Sequence, residues 1–395
     1  MENVWKKFKE IVRSNMRQYA MLIITVVIMV LFQILTDGIL LKPRNVSKLI
    51  YQNSYILILA VGMVLCILTG GNIDLSVGSM VAMISAFSAV FSVFWGLPPW
   101  IAIILGLLMG LLGGMWQGFF IAYVKVPPFI TTLAGMMLFR GVNNLILRGE
   151  TIGLPQAYIT LASGVIPDFL GSSEDLHMTT VYIGILMAVI YVLFSIATRT
   201  NKKKQGFEVQ STGMFITQMV GISAVINLFT YWLALDDGLP IILIVIAALI
   251  GIYTFITTKT TAGRHIYALG GNAKAAELSG VSTKKVMFWV YANMGLLAAL
   301  AGIVFAGRLN SASPTAGDKF ELEAIAACFI GGASATGGVG TVIGAVIGAF
   351  IMGILNNGMS IIGLSIFWMD IIKGLVLMAA VAFDVYSKSR AKKSV

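Results

Sequence analysis

The residue types that most often carry chemistry are sparse in this chain and oddly placed. Its two histidines, His177 and His265, fall near the ends of apolar segments, and its two cysteines, Cys66 and Cys328, lie inside apolar runs. Imidazole catalysis and a multi-histidine metal site find no support in that distribution, and two isolated thiols give neither a disulfide scaffold nor metal-ligand spacing. Gly-Lys-Ser and Gly-Lys-Thr do not occur, so the chain lacks the loop that cradles nucleotide phosphates and is not expected to hydrolyse nucleotide itself. Neither paired carboxylates nor a nucleophile beside a base is apparent, which argues against a glycosyl or acyl transferase. No catalytic residue, metal or resident cofactor is expected.

What remains is polar chemistry set into apolar helix. The stretch from Thr69 to Ser79 interrupts an apolar run with Gly70, Gly71, Asn72, Asp74, Ser76 and Gly78. Irregular backbone at membrane depth survives only where protein or water satisfies it, and a carboxylate there is costly. Two readings stay open: Gly71, Asn72, Asp74 and Ser76 line or gate a path, or Asp74 or Ser76 caps the next helix in a short turn. A second break runs from Gly331 to Gly340, where the chain is expected to turn between a half-helix and the next span. Arg140, with Asn143 and Asn144 nearby, is a path residue or a snorkelling one. Asp370 and Lys373, three apart, share a helix face and are expected to neutralise one another.

The elements holding these groups follow from composition. Of 395 residues, 58% are hydrophobic and only 11% charged, and mean hydropathy is +0.91, far too apolar for a water-exposed surface. With roughly 20 apolar residues per crossing, the chain reads as an all-α polytopic inner-membrane bundle of about 12 membrane segments, broken or half-helices included. These fall near 19–35, 50–69, 75–95, 99–124, 128–147, 178–198, 213–234, 239–257, 286–306, 322–333, 341–360 and 364–385, the tenth too short to cross as a regular helix. The net charge of +10 would suggest nucleic acid on a soluble protein; here its placement points to topology. With the N-terminus inside, 19 of the 27 Lys and Arg fall on cytoplasmic segments, as the positive-inside bias requires. Both termini are therefore placed in the cytoplasm: a basic arm over 1–18, a single transmembrane domain over 19–385, and a basic tail over 386–395. Lys202, Lys203 and Lys204 read as a topology determinant, with lipid headgroups as their one additional contact.

Glycine is patterned. Gly106, Gly110, Gly114 and Gly118 recur every fourth residue, as do Gly340, Gly344 and Gly348, which lets helix backbones approach closely where lipid offers no drive for pairing. The cytoplasmic loop over 258–285 is more than a connector. Its stretch from Gly270 and Gly271 through Asn272, Ala275, Ala276, Glu277 and Ser279 ends at Gly280 and spells a short helix with a C-cap signal. Ala275 and Ala276 suit close docking, so the loop implies a cytoplasmic protein partner.

Gly70 to Gly78, the loop from Gly263 to Gly280, and Pro314-Thr315-Ala316-Gly317 with Glu321 to Ala327 resemble the inner-membrane permeases of bacterial ATP-binding-cassette sugar importers. The branch is that of the ribose, galactose, xylose and multiple-monosaccharide systems. The resemblance covers about 47–384; residues 200–239 look like a two-span insertion relative to the ribose type, as in the xylose and multiple-monosaccharide permeases. It implies two permease chains, expected here as a homodimer, two ATPase subunits that bind the ATP, and an extracytoplasmic sugar-binding protein. It also makes the segment from Gly270 to Gly280 the ATPase-coupling element. An ion-coupled secondary sugar transporter is the alternative; it should carry intramembrane ionisable groups, and Asp74 is the one good candidate.

Overall fold

The computed structural model describes residues 16–171, 176–207 and 209–393. The basic residues Lys6, Lys7, Lys9 and Arg13 and the acidic Glu174 and Asp175 lie outside the described residues. The chain is helical almost throughout, and ten of its described helices are long and apolar enough to cross a membrane. Its elements fall into two compact units. One holds the chain up to Leu40 together with Tyr51–Ser163 and everything from Ile242; the other holds Leu41–Ile50 and Gly164–Ile241.

The larger unit contains α1 (Met16–Leu35), most of α2 (Pro43–Leu68), α3 (Val77–Ala89), α4 (Pro99–Phe119) and α5 (Pro128–Leu147). Helices α4 and α5 start on a proline, whose fixed φ suits the first turn and whose missing N–H is not needed there. After β1 (Ile152–Gly153) comes α6 (Gln156–Ser163). Beyond the second unit lie α9 (Ile241–Lys259), α10 (Thr261–Gly271), α11 (Ala273–Leu278) and α12 (Thr283–Leu309). Then come β2 (Ser311–Ala312), α13 (Phe320–Ile330), α14 (Val342–Ile361) and α15 (Ile366–Lys393). β1 and β2 pair antiparallel through Ile152 and Ala312.

The core of this unit is α2, α3, α12 and α14, whose faces are largely buried. The first glycine stripe explains how α12 seats on α4. A Cβ on Gly110 would lie 2.3 Å from the Cβ of Ala299, one on Gly114 2.4 Å from the oxygen of Tyr291, and one on Gly118 2.6 Å from that of Phe288. Gly106 is the exception: its nearest neighbour is Ile303 at 3.5 Å, an ordinary contact. The second stripe joins α14 to α13, since Cβ atoms on Gly344 and Gly348 would meet the oxygens of Gly331 at 2.3 Å and Ala327 at 1.9 Å. Gly340 does not belong to that helix. It precedes the Thr341 N-cap with φ of +148°, a left-handed turn position.

In the smaller unit, α7 (Met178–Lys204) and α8 (Thr212–Ala234) form an antiparallel hairpin, close-packed where Gly184 faces Thr230. The basic run expected in a loop is instead the last turn of α7, where Lys202, Lys203 and Lys204 oppose the negative helix end. At the other end of α7, Asp168 accepts bonds from the Thr179 hydroxyl at 2.6 Å and the N–H groups of Met178 and Thr179 at 3.1 and 3.2 Å. Those bonds, led by the hydroxyl, hold its carboxyl below the ordinary carboxylate value.

Candidate functional site

The first break and the start of α3 form a polar chain. Asp74 is buried and accepts both the backbone N–H and the hydroxyl of Ser76, at 2.8 and 2.7 Å. Ser76 Oγ in turn accepts a bond from Gln117 Nε2 of α4 at 2.6 Å. The first bond is the side-chain turn by which Asp precedes a helix; the second pair ties that turn to a neighbouring span. A local turn and a link across the bundle thus coexist at one carboxylate, while Ser76, the N-cap of α3, makes no side-chain cap bond. Gln117 Oε1 and, on α5, Asn143 Oδ1 are buried acceptors without a partner among the described residues, a costly condition in a protein interior.

Arg140 does not snorkel. Its Nη1 donates to the carbonyls of Pro314 and Ala316 at 3.1 and 2.6 Å, and Asn143 Nδ2 donates to Pro314 at 3.1 Å. The turn from Pro314 to Gly317 is thereby held against α3: a Cβ on Gly317 would lie 1.9 Å from the oxygen of Gly78, and one on Gly78 would lie 2.5 Å from Glu321 Oε2. The turn before α13 is therefore held to the start of α3 by close backbone approach at Gly78 and to α5 by the Arg140 side chain, although these segments are far apart in sequence. Asn72, exposed in part, donates to the carbonyl of Thr69 at 3.3 Å.

Asp370 and Lys373 do meet, at 3.6 Å, but each has a nearer partner outside α15. Lys373 Nζ lies 2.9 Å from Glu323 Oε1 and Lys319 Nζ 2.5 Å from Asp370 Oδ2, and Asn356 of α14 also donates to Glu323. The expected pair is part of a four-charge network bracing α13 against α15. Lys319 and Glu323 went unnoticed because their spacing from Asp370 carries no helical period.

The two breaks and the loop over 258–285 converge. The N–H of Gly338 donates to the carbonyl of Leu68 at 3.0 Å. A Cβ on Gly270 would lie 1.7 Å from that same oxygen and 2.6 Å from Gly338 N. A Cβ on Gly71 would lie 2.0 Å from the oxygen of Ala335, and one on Gly337 2.3 Å from the Cα of Gly70. Tyr267 of α10 adds a bond from its hydroxyl to the carbonyl of Gly340 at 2.7 Å. Helix α10 was not expected; its sequence signal is Thr260, whose side chain accepts the N–H of Gly263.

The segment from Gly270 to Gly280 is capped as its sequence suggests. Asn272 accepts the N–H of Ala275 at 3.0 Å, and Gly280 takes a left-handed φ of +86° behind α11. Its faces correct one expectation: Ala276 is only 5% exposed, turned into its own chain, so it offers no docking surface. Ala275, Glu277 and Ser279 are exposed, and Leu278 is 82% exposed. Leu278 was overlooked; the signal was a lone large apolar side chain among small and polar ones.

A bundle of apolar spans with polar breaks joined to an exposed loop segment is the architecture of a membrane permease, and the chain belongs to the family described as the permease component of the branched-chain amino acid transport system, which it matches over residues 45–201 and 173–381. It is 40% identical over 378 residues to the xylose transport system permease protein XylH of Haemophilus influenzae, covering 95% of this chain and 98% of that one. Identity to the Escherichia coli K12 XylH is also 40%, over 95% and 94% of the two chains. The Bacillus subtilis ribose import permease protein RbsC is 34% identical, over 87% of this chain and 85% of that protein. No solved structure matches the chain.

Proposed function

We propose that this chain is the membrane-spanning subunit of an ATP-binding-cassette importer in the inner membrane, carrying xylose or a related monosaccharide delivered by an extracytoplasmic binding protein. The relatives named for xylose and ribose transport support the sugar class. A separate ATPase binds and hydrolyses ATP, two permease copies frame the path, and the loop over 258–285 and both termini face the cytoplasm. The polar break of Gly71, Asn72, Asp74 and Ser76, with Arg140 holding the opposing turn, gates that path.

The observation that carries the reading is the junction of Gly270 with Leu68 and Gly338. A push on α11 reaches both breaks through backbone contacts, with no flexible side chain between to absorb it. Leu278 supplies the apolar anchor for the ATPase, with Ala275 admitting a close approach and Lys274 and Glu277 flanking it. Leu278→Asp tests this. The variant should insert normally and keep its thermal midpoint, because exposed substitutions seldom shift stability by more than about 0.5 kcal/mol. It should lose co-purification with the ATPase and sugar uptake together. Full uptake by a well-expressed Leu278→Asp protein would overturn the docking assignment.

A further inference from the structure

The hairpin of α7 and α8 holds a cavity of about 410 Å³ at the end where α7 finishes in its basic turn. Its lining joins two cationic side chains to aromatic ones, with Ser195, Thr198, Gln210 and Gln218 between them. Arg199 and Lys202 line the end next to the basic turn, its mouth, and Tyr191, Phe194 and Phe215 lie along the rest, with Phe194 71% exposed. From Lys202 back to Tyr191 the cavity follows eleven residues of α7, about 16 Å at 1.5 Å per residue. That is the shape of a headgroup site opening onto the first carbons of an acyl chain.

Arg199 is fixed in place before any ligand arrives. Its Nη2 donates to the carbonyl of Gln210 at 3.1 Å and the hydroxyl of Thr212 at 3.0 Å, and its guanidinium lies 4.5 Å above the ring of Phe215. Those two bonds use one nitrogen of the fork, so the Nε and Nη1 donors remain for an acceptor. Lys202, also lining the cavity, is exposed, and among the described residues its ammonium has no hydrogen-bond or ion-pair partner. Between His177 and Asp236 the sequence has one acidic residue, Glu208, against Arg199, Lys202, Lys203 and Lys204; Glu208 lies outside the described residues. A helix whose window of mean hydropathy 2.3 ends in this basic turn places the mouth at headgroup depth, where anionic lipids collect beside basic residues.

We infer that this cavity is a binding site for an anionic phospholipid, its phosphate held by Arg199 and Lys202 and the start of its acyl chain lying along Tyr191 and Phe194. The site stands on the hairpin alone and is independent of what the permease carries.

The test uses the full-length chain, purified in mild detergent, with native mass spectrometry and thermal shift in phosphatidylglycerol, phosphatidylcholine or inorganic phosphate. The expected result is retention of phosphatidylglycerol over phosphatidylcholine, with no thermal shift from inorganic phosphate. Each basic residue removed should weaken lipid binding about 5-fold. Lys202→Gln should do so without touching the bonds that close the hairpin; Arg199→Gln with Lys202→Gln should lose roughly 30-fold. Equal retention of the two lipids, or phosphatidylglycerol binding by Lys202→Gln and by the double variant at the wild-type level, would overturn the site. A shift by inorganic phosphate equal to that by the lipid would overturn the lipid as its ligand.

Discussion

Gly270 and Leu68 approach so closely that a single methyl on the glycine would lie 1.7 Å from the carbonyl oxygen of the leucine. That oxygen is already taken by the N–H of Gly338 at 3.0 Å. Three segments that are remote in sequence therefore share one point: the end of α2, the end of α10 and the turn before α14. None of them can move there without the other two.

Gly270→Ala and its neighbour Gly271→Ala make a matched pair. A Cβ on Gly271 meets nothing within 4 Å, so Gly271→Ala should insert, fold and transport normally. Gly270→Ala must part backbone from backbone, a strain of about 1–3 kcal/mol, and should lower the thermal midpoint and uncouple uptake from ATP hydrolysis. Equal uptake and equal thermal midpoints for the two variants would show that the junction transmits nothing.

Asp74 joins the turn to Gln117 through Ser76. Asp74→Ala removes the acceptor of two bonds and should cost about 1–3 kcal/mol, at about 0.5–1.5 kcal/mol per bond. The protein should still reach the membrane while uptake per molecule falls strongly. Normal uptake per surviving molecule would reduce Asp74 to a local turn former. Asp74→Asn keeps an acceptor for the Ser76 N–H and should sit between the two.

Much of this arrangement was legible beforehand. Helix positions follow directly from hydropathy: α4, for example, runs Pro99–Phe119 with a further turn to Val124, against an expected 99–124. The glycines of both breaks were visible as interruptions. What could not be read is which breaks touch, because Gly270, Leu68 and Gly338 meet through backbone atoms that no side-chain pattern records. Ala276 shows the converse limit. A small residue suits a docking face and an internal contact equally well, and only the packing of α11 decides that it turns inward. Arg140 fails for a third reason: its partners are the carbonyls of Pro314 and Ala316, and any residue has a carbonyl.

The bonds on Asp168 make the start of α7 sensitive to acid. Its carboxyl titrates below the ordinary value, so its support is complete above about pH 3.9, the unfolded value. That support fades as pH falls through the lowered one. Asp168→Ala should therefore lower the thermal midpoint at pH 7, and the difference from wild type should shrink only below about pH 4. A difference that vanished already at pH 6 would point to another titrating group.

The central claim is that transport through this chain is driven by a docked ATPase. Its most direct test is uptake of labelled xylose into liposomes holding the permease and its ATPase, with the binding protein outside, ATP inside on the side of α11, and ion gradients collapsed by ionophores. The account predicts accumulation only when the binding protein, the ATPase and hydrolysable ATP are all present, unchanged by the ionophores. Accumulation by the permease alone on a proton or sodium gradient would contradict it and make the chain a secondary transporter.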